Sequence, residues 1–377
     1  MYTTQEVHMV TMKDIATAIE SKAPLHLQES WDNCGLQLGH MASEVRRVLT
    51  TLDVTPDVVA EAIEKEVDCI LSHHPMIFKK LQSIDLGTTQ GKMIGDLLQQ
   101  GISVYSAHTN LDITKEGLND EVAQRLGLTE IRGLVETDRE TAYKVAVYVP
   151  VTHSDQVRQA MGDAGAGHIG NYSHCSFSVT GEGRFLPLDG TNPFIGHVGI
   201  IETVQEERLE TVVPKKLLGT VLAAMEKAHP YEEIAYDVVP LHNVYEAHHI
   251  GRIGELASPL SLQVLAKLLQ TVFPHSQLRW GGAKVEQVRR IALCTGSGAE
   301  FIKAATKQKA DLYITGDVKY HDMQMAKELG ILVVDAGHYG TEYMSQSILK
   351  RFVEDTFTEG EVEVIESESQ GDFFFEV

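Results

Sequence analysis

Cysteine is scarce in this chain, with four in 377 residues, and Cys34, Cys69, Cys175 and Cys294 stand too far apart for a zinc ribbon or a Cys-x-x-Cys redox pair. Such spacing fits reduced thiols in a cytosolic protein better than a disulfide framework. Positive charge is scarce as well. The 32 Lys and Arg face 53 Asp and Glu, a net charge of −21 that repels phosphate backbones and anionic lipid. No stretch gathers basic residues into a patch, so a DNA-binding regulator is disfavoured and neither nucleic acid nor membrane is expected as a partner. The opening MYTTQEVHMVTMKDIATAIESK lacks a basic start followed by an apolar core, and no apolar run is long enough to cross a bilayer. The expectation is a cytoplasmic protein.

What is present is an ordinary globular composition, 43% apolar and 23% charged, at a length that suggests two or three domains. Internal similarity organises it. RRVLTTLDVTPDVVAEAIEKEVDCILSHH, from Arg46, aligns without a gap on RRIALCTGSGAEFIKAATKQKADLYITGD, from Arg289. Each stretch reads strand, helix, Asp (Asp68 or Asp311), strand, and a further helix and strand follow each. Short β-branched runs alternating with helical patterns predict parallel strands joined by crossovers, hence an α/β fold with two related halves forming one core. Between them the texture changes to strand, helix, two hairpin-forming strands (NYSHCSFSVTGEGRF and GHVGIIETVQEE), helix and strand. This βαββαβ order predicts an inserted ferredoxin-like α+β domain. The expected boundaries are 1–135 for the first half, 136–246 for the insert and 247–377 for the second half.

Ligands of open parallel sheets gather beyond the carboxyl ends of the strands. His73 and His74, in LSHHPMIF, end one predicted strand, and the next ends in SAHTNLD, which carries His108 and Asp112. In the second half VVDAGHYGTE ends a strand, and His338 and Glu342 stand one helical turn apart if the following helix, predicted to begin near Gly340, starts early. Three imidazoles and two carboxylates converging from these segments exceed what one closed tetrahedral ion needs. They suit two ions sharing a bridging carboxylate. Nitrogen and oxygen donors without thiolate fit two divalent ions drawn from zinc, iron, manganese, cobalt or nickel. The alignment sets Asp317 opposite His74, near the same cleft, where it could hydrogen-bond a ligand's second nitrogen. His108 and Asp317 are the candidate proton shuttles. Pro75 would bend the chain so that adjacent imidazoles reach one site.

Three features weigh less. A His-His doublet alone is weak, as His248-His249 in the same chain illustrates. TGSGAEF, 295–301, joins a strand to a helix but lacks a phosphate-loop pattern. A tight turn is its simpler reading, with Gly296 and Gly298 the residues that could face a phosphate. His168, His174, His229, Glu232 and Glu233 of the insert read as glycine turns and a solvated acidic helix end, in a domain suited to assembly or ligand sensing.

WDNCGLQLG from Trp31, LSHHPMIF from Leu71, SAHTNLD from Ser106 with GLNDEVAQRLGL after it, ITGDVKYHD from Ile314 and DAGHYGTE from Asp335 resemble the motifs of the Nif-three-like family. Its members are often named GTP cyclohydrolase I type 2 homologues. The resemblance spans essentially the whole chain. It implies that His73, His74, Asp112, His338 and Glu342 hold a pair of divalent metals bridged by Glu342. It also implies an insert similar to trimeric signalling and ion-tolerance proteins, and a toroidal homohexamer. Two functions follow as expectations. One is a metal-dependent hydrolase acting on a nucleotide-like or cyclic amide small molecule. The other is a non-catalytic metal-binding, metal-delivery or regulatory scaffold protein.

Overall fold

A computed structural model describes residues 9–358 and 360–374. The first eight residues, on which part of the export expectation rests, lie outside the described residues. The chain divides into two compact units, Met1–Thr137 with His248–Val377, and Asp138–Ala247. No helix among the described residues is long and apolar enough to cross a membrane.

The first half of the larger unit runs α1 (Met12–Lys22), β1 (Gly35–Leu38), β2 (Arg47–Thr51), α2 (Pro56–Glu64), β3 (Cys69–Ser72), α3 (Thr89–Gln100), β4 (Ser103–Ser106), α4 (Thr109–Ile113) and α5 (Leu118–Arg125). Local chemistry sets these bounds. Thr55 caps α2 by accepting the N–H of Val58, with Pro56 in the first turn, and α3 ends on Gly101 at a left-handed φ of 72°. Pairing of β2, β3 and β4 is parallel, and β1 closes the edge antiparallel to β4.

β5 (Thr129–Pro150) then leads into the smaller unit, and β8 (Tyr236–Ser261) leads out of it. In between come α6 (Ser154–Asp163), β6 (Ser176–Phe185), β7 (Glu202–Pro214) and α7 (Leu218–Ala228). β7 pairs antiparallel with both β5 and β6, and Val145, Val147 and Val149 alternate inward to meet Val157, Met161, Val221 and Met225 of the helices. The second strand of the predicted hairpin is shorter than expected: GHVGII lies outside it, and β7 starts at Glu202. His248 and His249 stand within β8.

The second half continues with α8 (Leu262–Val272), β9 (Arg279–Gly282), β10 (Gln287–Leu293), α9 (Ile302–Lys307), β11 (Leu312–Thr315), α10 (Tyr320–Leu329), β12 (Leu332–Asp335), α11 (His338–Glu342), α12 (Ser345–Glu354) and β13 (Glu363–Glu366). It repeats the first: β10, β11 and β12 are parallel and β9 closes the edge antiparallel to β12. The repeat extends to hydrogen bonds. Asp68 Oδ2 accepts the backbone N–H groups of Arg46 and Arg47 at 2.7 and 2.9 Å, and Asp311 Oδ2 accepts those of Arg289 and Arg290 at 2.9 and 2.8 Å. β13 returns to pair in parallel with β2. The single helix expected from Gly340 onward is broken at Tyr343 and Met344, separating α11 from α12.

Strand alternation explains how the halves join. Leu71, Tyr105, Leu293, Ile314 and Val334 enter one buried cluster common to both sheets, while their neighbours Ile70 and Val104, or Ala292, Tyr313 and Val333, enter a separate cluster on each outer face. Arg252, on β8, fastens the halves at one end. Its guanidinium donates to the Asp120 carboxylate at 2.6 and 3.0 Å and to the carbonyls of Ile113 and Thr114 at 3.2 and 2.8 Å.

Candidate metal centre

β3 ends at Ser72, so His73 and His74 follow the strand instead of continuing its alternation. Their rings lie on the same side, with centroids 5.2 Å apart and planes inclined by only 34°. β4 ends at Ser106, and α4, a single turn of five residues, carries Asp112 inward. β12 ends at Asp335, and α11, equally short, sets His338 and Glu342 on one face. The ligating atoms form three overlapping groups, each within 4.8 Å: His73, Asp112 and Glu342; His74, His338 and Glu342; His73, His74 and His108.

The donor chemistry fits a cation. His73 Nδ1 lies 2.8 Å from the Ala107 carbonyl, which can only accept, so the proton sits on Nδ1 and Nε2 presents a lone pair. That Nε2 is buried without a hydrogen-bond partner among the described residues, 3.7 Å from Asp112 Oδ1 and 3.8 Å from Glu342 Oε1. Acceptors facing one another in a closed site need positive charge between them, from a proton or a metal ion. Glu342 is 3% exposed and its other oxygen, Oε2, is 2.9 Å from His74 Nε2 and 3.0 Å from His338 Nε2. Its two oxygens thus face two different imidazole groups.

Titration follows the same arrangement. Burial opposes charge on His74, but hydrogen bonds with Asp53 and Glu342 outweigh it and push its pKa up to about 10. His338 rises to about 9, burial again being overcome by Glu342 and Asp317. Burial raises the carboxyl of Asp112 against the pull of His73, while Glu342, despite its burial, is held well below the usual range by the surrounding imidazoles.

Three carboxylates orient three of the rings from behind. Asp53 Oδ1 lies 2.8 Å from His74 Nδ1, Asp317 Oδ2 lies 2.7 Å from His338 Nδ1, and Asp32 Oδ1 lies 2.9 Å from His108 Nδ1. Each leaves the far nitrogen for the centre. Asp317 adopts a left-handed φ of 55°, a conformation Asp tolerates better than most residues. Asp32 also accepts the N–H and hydroxyl of Thr109 at 3.1 and 2.5 Å, and although burial opposes its charge, His108 and Thr109 hold its carboxyl well below the usual range. Sequence reasoning misses Asp32 and Asp53. The first sits in WDNCGLQLG and the second just beyond β2, where the duplicated alignment places Gly296.

Both candidate shuttles have other engagements: the Asp317 carboxylate is bound to His338, and His108 belongs to one of the ligating groups. Gly296 and Gly298 do not offer their amides to a phosphate. Gly296 donates to Thr341 Oγ1 and Gly298 to Thr315 Oγ1, both at 2.9 Å. Gly296 serves the site by its lack of a side chain, since a Cβ there would come within 2.1 Å of Glu342 Oε1. Trp31 and Phe78, 58% and 47% exposed, flank His108 with ring centroids 6.1 and 6.4 Å away. Asn33 Nδ2 donates to the Ile77 carbonyl at 2.6 Å, tying the two loops that carry these rings.

Fold and site together define an α/β protein with two repeated halves and a His/Asp/Glu cluster able to hold a metal ion. The chain matches the family model described as Duf34/NIF3 (NGG1p interacting factor 3) over residues 10–372, and it belongs to that family. It is 44% identical over 332 residues to a Halalkalibacterium halodurans protein named GTP cyclohydrolase 1 type 2 homolog, covering 88% of this chain and 89% of the relative. A Bacillus subtilis protein of the same name is 42% identical, with 91% and 92% covered. Among solved structures, a Bacillus cereus protein related to NIF3 superposes with a TM-score of 0.90 at 40% identity, covering 98% of this chain and 100% of that one.

Proposed function

We propose that this protein is a dinuclear metal-dependent hydrolase acting on a planar, nucleotide-like or cyclic amide substrate. The observation that carries the proposal is Glu342, whose two carboxylate oxygens face His73 on one side and His74 with His338 on the other. His73, His74, Asp112, His338 and Glu342 would hold the ions, with His108 as a further donor. Divalent ions there supply Lewis acidity toward a carbonyl or phosphoryl oxygen and acidify water. Asp53, Asp317 and Asp32 keep the imidazoles turned inward. Trp31 and Phe78, with ring centroids 5.9 Å apart, give a flat heterocycle two exposed faces beside His108. Hydrolysis of such a ring accords with the name carried by the relatives. As part of the same proposal, the insert is a ferredoxin-like assembly module and the protein a homohexamer.

The test is a hydrolysis screen of metal-replete protein over nucleotides and cyclic amides. Turnover should be abolished by His74→Ala or Glu342→Ala, with no change of metal restoring it, and Trp31→Ala should raise KM more than it lowers kcat. Absence of turnover on every substrate sinks the hydrolase. The engagement of both shuttle candidates favours the second reading, a non-catalytic metal-binding or metal-delivery protein, which requires exchangeable metal without turnover.

A further inference from the structure

The smaller unit contains a cavity of about 440 Å³, within the range of small-molecule sites. Its walls are aromatic. Tyr231 is central, its ring centroid 5.9 Å from Phe185 and 6.3 Å from Phe194, at interplanar angles of 62° and 52°. All three rings line the cavity. Carboxylates supply most of the remaining chemistry: Glu206, Glu232 and Glu233 line the cavity, and Arg184, the one cationic lining side chain among the described residues, is engaged by Glu182 at 2.5 Å.

These groups are held in position. The Tyr231 hydroxyl donates to Glu206 Oε1 at 3.1 Å. Gly183 leaves room for that carboxylate, since a Cβ there would stand 2.0 Å from Glu206 Oε2. The backbone N–H of Tyr231 donates to His229 Nδ1 at 3.1 Å, so His229 carries its proton on Nε2 and donates it to the Tyr148 carbonyl at 3.0 Å. Glu232 Oε1 accepts the N–H of Asn192 at 3.0 Å, tying down the loop that carries Phe194.

From this combination we infer that the cavity binds a small organic cation, an alkylated ammonium or a guanidinium. Aromatic faces are electronegative and attract such cations, most strongly where carboxylates stand beside them. The same carboxylates repel phosphates and carboxylic acids. A neutral heterocycle would gain stacking but leave the acidic groups uncompensated.

Isothermal titration of the full-length protein decides the matter with choline and agmatine as cationic probes, 3,3-dimethyl-1-butanol as the neutral isostere of choline, and adenosine monophosphate as an anion. One of the cations should bind, and choline should bind at least about tenfold tighter than its isostere if it is the one. Glu206→Gln and Phe194→Ala should each weaken the bound cation about tenfold, with metal content unchanged. Failure of both cations to bind overturns the inference, as does equal binding of the neutral isostere or preferential binding of the nucleotide. Cation binding that survives both substitutions overturns the assignment to this cavity.

Discussion

The two halves of the core share one scaffold and use it differently. Gapless alignment sets Ser72 on Thr315, and both residues end parallel strands whose next neighbours, β4 and β12, lead into five-residue helices. On that common frame the first half presents His74 where the second presents Asp317. One is a ligand candidate, while the other orients His338. Likewise the first half places Asp53 behind His74 where the second places Gly296, which makes space for Glu342. Duplication thus supplies positions at two strand edges, and divergence assigns each position to holding, orienting or yielding space. The cluster has no twofold symmetry although its framework nearly does.

The comparison breaks most completely at Glu342, which alone among the carboxylates belongs to two of the ligating groups. Under the dinuclear proposal, Glu342→Gln should lower affinity by more than about 100-fold for each of the two ions proposed, read by elemental analysis after dialysis, whereas Asp112→Asn and His338→Ala should each release one ion and retain the other. Equal loss in all three variants would mean one site instead of two. Next in size is the fastening between halves. Arg252→Met leaves Asp120 uncompensated in a largely buried setting and should cost roughly 3–5 kcal/mol in urea unfolding.

The orienting carboxylates come third. Asp53→Asn and Asp317→Asn should each weaken metal binding by about 10–100-fold, because the imidazole behind each loses its anionic partner. An effect from one half only would show that the shared frame does not carry equal weight on both sides. The smallest effect concerns pH. In metal-free protein, His74 and His338 have folded pKa values of about 10 and 9, above the ordinary 6.5. Their pairing therefore stabilises the fold fully below about pH 6.5 and is lost as pH rises through 9 to 10. The thermal midpoint of chelator-treated protein should fall across that window, and metal-replete protein should fall less.

Much of this organisation is legible in the amino-acid pattern. Runs such as VDCILS and DLYIT announce strands buried on both faces, and Thr55-Pro56 and Gly101 mark helix ends by chemistry that acts within a few residues. His73, His74 and His338 stand out because they follow such runs closely, and Glu342 because it stands one helical turn beyond His338. Asp32 and Asp53 are not legible in the same way. Asp53 meets a histidine 21 residues on and Asp32 one 76 residues on, contacts that depend on how loops return to the sheet edge. The break between α11 and α12 is equally hidden, since Tyr343 and Met344 carry no helix-stopping signal and tertiary packing overrides their propensity. TGSGAEF follows its simpler reading, a tight turn: the amides of Gly296 and Gly298 are taken up by Thr341 and Thr315 instead of facing a phosphate.

Gly296 offers a practical handle on the centre. Because the volume a methyl group would need is the volume of the Glu342 carboxylate, and because φ is +62° at this position, Gly296→Ala is a plug that leaves every donor atom encoded. A cell or a reaction mixture supplied with that variant would contain the full set of imidazoles and carboxylates with the shared one pushed aside. Comparing it with ligand-deleted variants separates the loss of a geometry from the loss of a functional group.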